Sequence, residues 1–260
     1  MKPPLLAFVH IEKTAGISLN RMLRGAFGLK HFDVEPLDSS TLLYSANDFR
    51  KLESVFPFVD SIAGHTICPF NDLWEIDREV FFFTFLREPL ARCASHYQFQ
   101  IQKMGKNLSF ERWIENEKYH DVQCRRLCGV PSYEAAMAVV EDRVAYIGVM
   151  DAFPQSVAEF SEEVAVLGLP SRMVVQRKNL ASDNSIKDNL LRDPSTLRLL
   201  EEANIEDQKL YDAIVSRRTC PPSELVQVDA TDRLRSSVFG VVNKVFRNVV
   251  YRPYLARSRR

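Results

Sequence analysis

The residues His10-Ile11-Glu12-Lys13-Thr14-Ala15-Gly16-Ile17-Ser18 place a cation, hydroxyls and a glycine between an apolar run and an amphipathic one. A turn from strand into helix leaves backbone N–H groups free and aims the positive end of the helix dipole outward, which favours an anion. Lys13 adds a full charge, and Thr14 and Ser18 add hydroxyl donors. The loop is neither Gly-x-x-x-x-Gly-Lys-Ser/Thr nor Gly-x-Gly-x-x-Gly. A phosphate cradle and an ordinary capped helix start account for it equally well.

A second set of groups follows Thr84-Phe85-Leu86-Arg87-Glu88-Pro89, with Arg92, Ser95, His96 and Tyr97 next in the chain. Arg87 falls at the carboxyl end of a strand, the edge of a parallel sheet where ligands bind. Ser95 lies about two turns along the following helix, so a guanidinium and a hydroxyl could grip one phosphate. Taken singly, each has a plainer reading: Arg87 paired with Glu88 or another acid, Ser95 a small surface residue.

These groups need a frame. Apolar runs of strand length cover residues 5–11, 58–63, 80–86, 145–150 and 173–176, and that at 80–86 lacks alternation, as a strand covered on both faces should. Helical spacing follows at 18–27, 154–167 and 204–216, and Asp193-Pro194 opens another helix with proline at its favoured first position. Strands alternating with helices predict an α/β three-layer sandwich with a central parallel sheet.

A length of 260 residues, 46% hydrophobic and 26% charged, suits one ordinary globular domain. No window approaches the roughly 20 apolar residues of a membrane-spanning helix, so the chain reads as cytoplasmic. Five scattered cysteines, of which only Cys124 and Cys128 are close in sequence, read as reduced thiols. No cluster has metal-ligand spacing, so no metal is expected. The net charge is zero, yet the chain after Asp232 carries eight Lys or Arg and no acid. Residues 1–228 are therefore taken as the domain and 229–260 as a basic amphipathic tail. Residues 233–260 suit either a helix packed on the domain or a peripheral contact with an anionic membrane at its inner face.

The loop at residues 10–18 and the Arg87–Ser95 segment together resemble the 5′-phosphosulfate loop and the 3′-phosphate segment of sulfotransferases that use 3′-phosphoadenosine 5′-phosphosulfate (PAPS). They are most similar to the group related to heparan sulfate 2-O-sulfotransferases, whose first loop resembles His-Ile-Pro-Lys-Thr-Ala-Gly-Thr-Ser. Tyr146-Ile147-Gly148-Val149 and the stretch Asn204-Ile205-Glu206-Asp207-Gln208-Lys209-Leu210-Tyr211 resemble that group too, in its order. Glu12 and Ile17 depart from it, standing where the family has proline and often threonine.

The resemblance implies a P-loop-like sulfotransferase fold and transfer of a sulfuryl group from PAPS to an acceptor hydroxyl, leaving 3′,5′-ADP. The acceptor it implies is a carbohydrate or glycolipid, with no nucleic acid and no metal. It implies that Lys13, Thr14, Ala15, Gly16, Ile17, Ser18, Arg87 and Ser95 bind the cofactor, with Lys187, in a polar loop over 177–187, as a third contact. Lys13 would also neutralise the leaving oxygen, and His65, in Ala63-Gly64-His65-Thr66, would be the base. An isolated histidine there would more often just hydrogen-bond backbone, and Lys187 is as readily a solvated lysine. Two other classes compete: a nucleotide-dependent kinase, which lacks its Walker loop here, and a non-catalytic nucleotide- or glycan-binding protein of the same fold.

Overall fold

The computed structural model describes residues 2–38, 41–174, 183–218 and 229–258. Five strands, β1 (Leu5–Val9), β2 (His31–Asp33), β3 (Ser61–Gly64), β4 (Val80–Leu86) and β5 (Val144–Val149), form one all-parallel sheet in the order β2-β3-β1-β4-β5. β1 is apolar throughout and β4 apolar but for Thr84, because helices cover both faces, and β1 is fully buried.

Among the described residues, twelve α-helices connect or flank the strands: α1 (Gly16–Phe27), α2 (Ala46–Val55), α3 (Pro89–Gln102), α4 (Phe110–Ile114), α5 (Val122–Cys128), α6 (Tyr133–Arg143), α7 (Phe153–Val166), α8 (Ser185–Arg192), α9 (Pro194–Glu202), α10 (Ile205–Arg217), α11 (Ala230–Phe246) and α12 (Arg252–Ser258). The pleat divides β1 between two cores. Leu6 and Phe8 meet α1 and α7, through Leu19, Leu23, Val157 and Phe160. Leu5, Ala7 and Val9 face α2, α5, α6 and α10. A third cluster, around Trp113, joins α3, α4 and α9.

Two expected elements differ. Met173 and Val174 are buried but lie in no strand, and 175 and 176 fall outside the described residues. The fifth strand is instead β2, three residues without an apolar run, recruited by pairing with β3 and by a buried His31–Ser61 hydrogen bond of 2.9 Å. The expected polar loop over 177–187 lies outside the described residues up to 182, and Lys187 is in the first turn of α8.

The segment after 229 packs on α1 and the β2 edge. Asn243 donates to the carbonyls of Gly28 (2.7 Å) and His31 (2.9 Å). Arg247 donates to Asp33 at 2.8 Å, the same oxygen that Arg24 of α1 reaches. A π-turn, Arg247–Tyr251, follows α11, and Tyr251 is buried against Phe32. No helix among the described residues is long and apolar enough to cross a membrane.

Candidate functional site

Parallel register brings the chemistry-bearing loops together. Val9 pairs with Gly64 and Phe8 with Phe83, and Thr84 donates its hydroxyl to the Val9 carbonyl at 2.8 Å. β1, β3 and β4 therefore end side by side, and the loops at His10, His65 and Arg87 share one edge of the sheet.

The first loop is unusually shaped. Lys13 (φ 71°) and Ala15 (φ 64°) both adopt the left-handed conformation, at about 1 kcal/mol or more each for residues with a Cβ. Left-handed residues on either side of Thr14 form the kind of turn whose N–H groups surround an anion. Thr14 is fully buried and its hydroxyl donates inward to the Ile11 carbonyl at 3.1 Å, so it braces the turn. α1 then starts at Gly16 with no side-chain cap; the Ser18 N–H turns back to the Ala15 carbonyl at 2.9 Å, and those of Gly16 and Ile17 have no intrahelical acceptor. Gly16 must lack a side chain, since a Cβ there would lie 1.6 Å from His10 Nε2. Ile17 is exposed and Ser18 half-buried on that first turn.

Two cations converge on this turn. Arg87 Nη1 donates to the Lys13 carbonyl at 3.3 Å. Lys13 Nζ stands 4.7 Å from the centre of the Phe99 ring, and Phe99 follows half-buried Ser95 by one turn of α3, on the same face. Burial, then the Arg87 charge, lowers the Lys13 pKa. Burial also lowers that of Arg87, with Asp151 and Glu88 opposing and Arg92 assisting. Neither cation is ion-paired with a carboxylate among the described residues. Glu88 is otherwise engaged, capping α3 through the Leu90 and Ala91 N–H groups (2.9 and 2.6 Å).

The Arg87 backbone is held on both sides by the Gln123 amide, at 3.0 Å each way. Gln123 is fixed in turn because Asp207 accepts from the N–H groups of Gln123 (3.0 Å) and Cys124 (2.8 Å), and Asp121 accepts from those of Glu206 and Asp207. The two helix starts cap each other. Buried Arg92 lies 3.9 Å from Asp207, with its guanidinium nitrogens otherwise unpartnered. The Asn204–Tyr211 stretch thus braces the loop from behind; within it, Tyr211 donates to Asp151.

His65 faces the same edge, half exposed. Its Nδ1 lies 2.8 Å from the His10 carbonyl, which can only accept, so Nδ1–H is the donor and the neutral tautomer this bond selects has its lone pair on Nε2. Its ring stacks on His10 at 3.9 Å, and His10 stacks on Phe8. Burial and the neighbouring His65 push the His10 pKa down to about 3, so its role is to pack as a neutral ring.

Arg126, on α5, escaped the sequence reading. It grips Glu12 through both its Nε and Nη2 and donates to the His65 carbonyl at 2.7 Å. Burial alone would raise the Glu12 pKa, but the Arg126 charge and hydrogen bond outweigh it and bring it down to about 2. The carboxylate beside the cation loop is therefore ionised and neutralised. A lone acid in such a loop was the available signal that a partner must exist.

Lys187 is less free than the loop cations: its Nζ lies 3.2 Å from Asp188, and its N–H donates to Gln98 on α3. His31 is buried, His96 contacts Gln100, and His120 hydrogen-bonds the Ile114 carbonyl. Cys68, Cys93, Cys124 and Cys128 are free thiols, and Cys220 lies outside the described residues. No protein-family model matches the chain, and no curated protein matches it either.

Proposed function

We propose that the protein is a PAPS-dependent sulfotransferase acting on an acceptor hydroxyl of a carbohydrate or glycolipid, built on a P-loop-like fold. One observation carries the reading: Lys13 and Arg87 are both half-buried at the uncapped start of α1, with Arg87 donating to the Lys13 carbonyl, and neither forms an ion pair with a carboxylate among the described residues. Burial disfavours the charged form of both side chains, and a bound polyanion would offset that cost. The resemblance in sequence supplies the identity of that anion.

When bound, PAPS supplies the activated sulfuryl group. Lys13 and the N–H groups of Thr14, Ala15, Gly16 and Ile17 would hold its 5′ end, with Ser18 contributing its hydroxyl because its N–H donates to the Ala15 carbonyl, and with Lys13 placed to neutralise charge on the leaving oxygen. Arg87 and Ser95 would hold the 3′-phosphate. Lys187 would join them only by exchanging Asp188 for the ligand. His65, its tautomer set by the His10 carbonyl, would take the proton of the acceptor hydroxyl at Nε2. Glu12, held by Arg126, adds no net charge to the cradle.

Calorimetric titration with 3′,5′-ADP tests this. The wild type should bind, Lys13→Ala should bind about tenfold or more weakly, and ADP without the 3′-phosphate should also bind more weakly. No binding to folded wild type overturns the reading. Binding without sulfate transfer to any glycan or glycolipid would favour the non-catalytic protein of the same fold.

A further inference from the structure

α11 has two faces. The inner one rests on the domain through Ser236, Asn243 and the ring of Phe239, which lies against Gly28. The outer one carries Leu234, Val238, Val241, Val245 and Val249, a continuous helical stripe from α11 into the π-turn, with Val241 62% and Val249 68% exposed. Valine is a poor choice for a helical surface in water, because its branched side chain loses rotamer freedom without burial in return. Helix formation does not explain this stripe; something that covers it does.

Charge identifies the cover. At about 100° per residue, Arg233 and Lys244 fall along one border of the stripe and Arg235 along the other, its guanidinium 5.1 Å from the Phe239 ring centre. No acid occurs after Asp232, and Asp232 itself faces Arg172 at 3.3 Å. The acids of the elements beneath are also engaged: Asp33 by Arg24 and Arg247, Asp60 by Lys30 and Arg78.

A second copy across a two-fold axis would set cationic border against cationic border with no acid between them. An anionic bilayer meets both requirements at once: acyl chains take the valines and headgroups take the flanking cations. We propose that the outward face of α11 and the π-turn after it docks the protein on an anionic lipid surface. The proposal stands whether or not the loop after β1 binds a nucleotide.

The test is co-sedimentation of the full chain with vesicles of phosphatidylcholine plus phosphatidylserine, against pure phosphatidylcholine. Wild type should sediment with the anionic vesicles, be released by salt, and stay in the supernatant with the neutral ones. Val241→Glu with Val245→Glu should abolish sedimentation at unchanged melting temperature, because both side chains point outward, and Lys244→Gln should weaken it about fivefold. Three results would overturn the proposal: wild type left in the supernatant with anionic vesicles, the double variant sedimenting as well as wild type, or light scattering that shows a dimer the double variant splits.

Discussion

Replacing Glu12 by Gln isolates the carboxylate that sits beside the cation loop. The Glu12 pKa falls from 4.5 to about 2, against the burial that would raise it, because Arg126 grips it. A shift of that size corresponds to about 3 kcal/mol, and since each side chain keeps a quarter or more of its surface in water, screening reduces this to about 2 kcal/mol. The folded pKa lies below the unfolded one, so this stabilisation is complete above pH 4.5 and fades as pH falls toward 2. At pH 3.5 roughly 40% of it should be gone. Urea unfolding of wild type and Glu12→Gln at the two pH values measures this: a gap of about 2 kcal/mol at pH 7 should shrink to about 1 kcal/mol at pH 3.5. A gap equal at both pH values, or none at pH 7, would show that Arg126 and Glu12 are not energetically coupled in the folded state.

Gly16→Ala should lower stability by about 1–3 kcal/mol, and the melting temperature by several degrees, because its methyl would meet a His10 ring clamped between Phe8 and His65. Adding His10→Ala should recover most of that loss, and strict additivity in the double-mutant cycle would refute the clash. Asn243→Ala should cost about 2 kcal/mol, since it strips donors from the Gly28 and His31 carbonyls, and an unchanged urea midpoint would mean that these bonds do not hold α11 to the domain.

Where the chain's pattern is local, the sequence was legible. β4 has the bounds of its apolar run because a strand buried on both faces must be almost wholly apolar, its one hydroxyl, Thr84, being bonded to Val9, and Asp193-Pro194 opens α9 because a side chain that caps Thr196 N–H and a preset φ act within one turn. β2 was not legible, since three residues gain strand geometry only from β3 beside them. Met173-Val174 shows the converse: apolar residues that are buried without pairing. At the site, Lys13 and Arg87 could be placed at strand ends from sequence, but their approach depends on parallel register. Arg126 lies 114 positions from Glu12, and only the packing of α5 brings it there.

The tail unites both outcomes. Periodicity in residues 233–260 allowed either a packed helix or a membrane contact, as though one excluded the other, yet α11 has polar anchors on one face and valines on the opposite one.

The strain at the cation loop is not an isolated defect. Lys13 and Ala15 hold left-handed angles, α1 begins without a cap, and the Lys13 and Arg87 cations are both partly out of water. Each of these lowers the stability of the fold, and each persists because its surroundings fix it: Thr14 anchors the turn to Ile11, Gln123 clasps Arg87, and Asp207 fixes Gln123. Strain that is over-determined by its supports is a common mark of a ligand site. An anion at this turn would accept from the free N–H groups and neutralise the Lys13 and Arg87 charges in the same act. Binding should therefore appear as a rise in melting temperature that grows with ligand concentration, since a ligand that prefers the folded chain stabilises it by mass action.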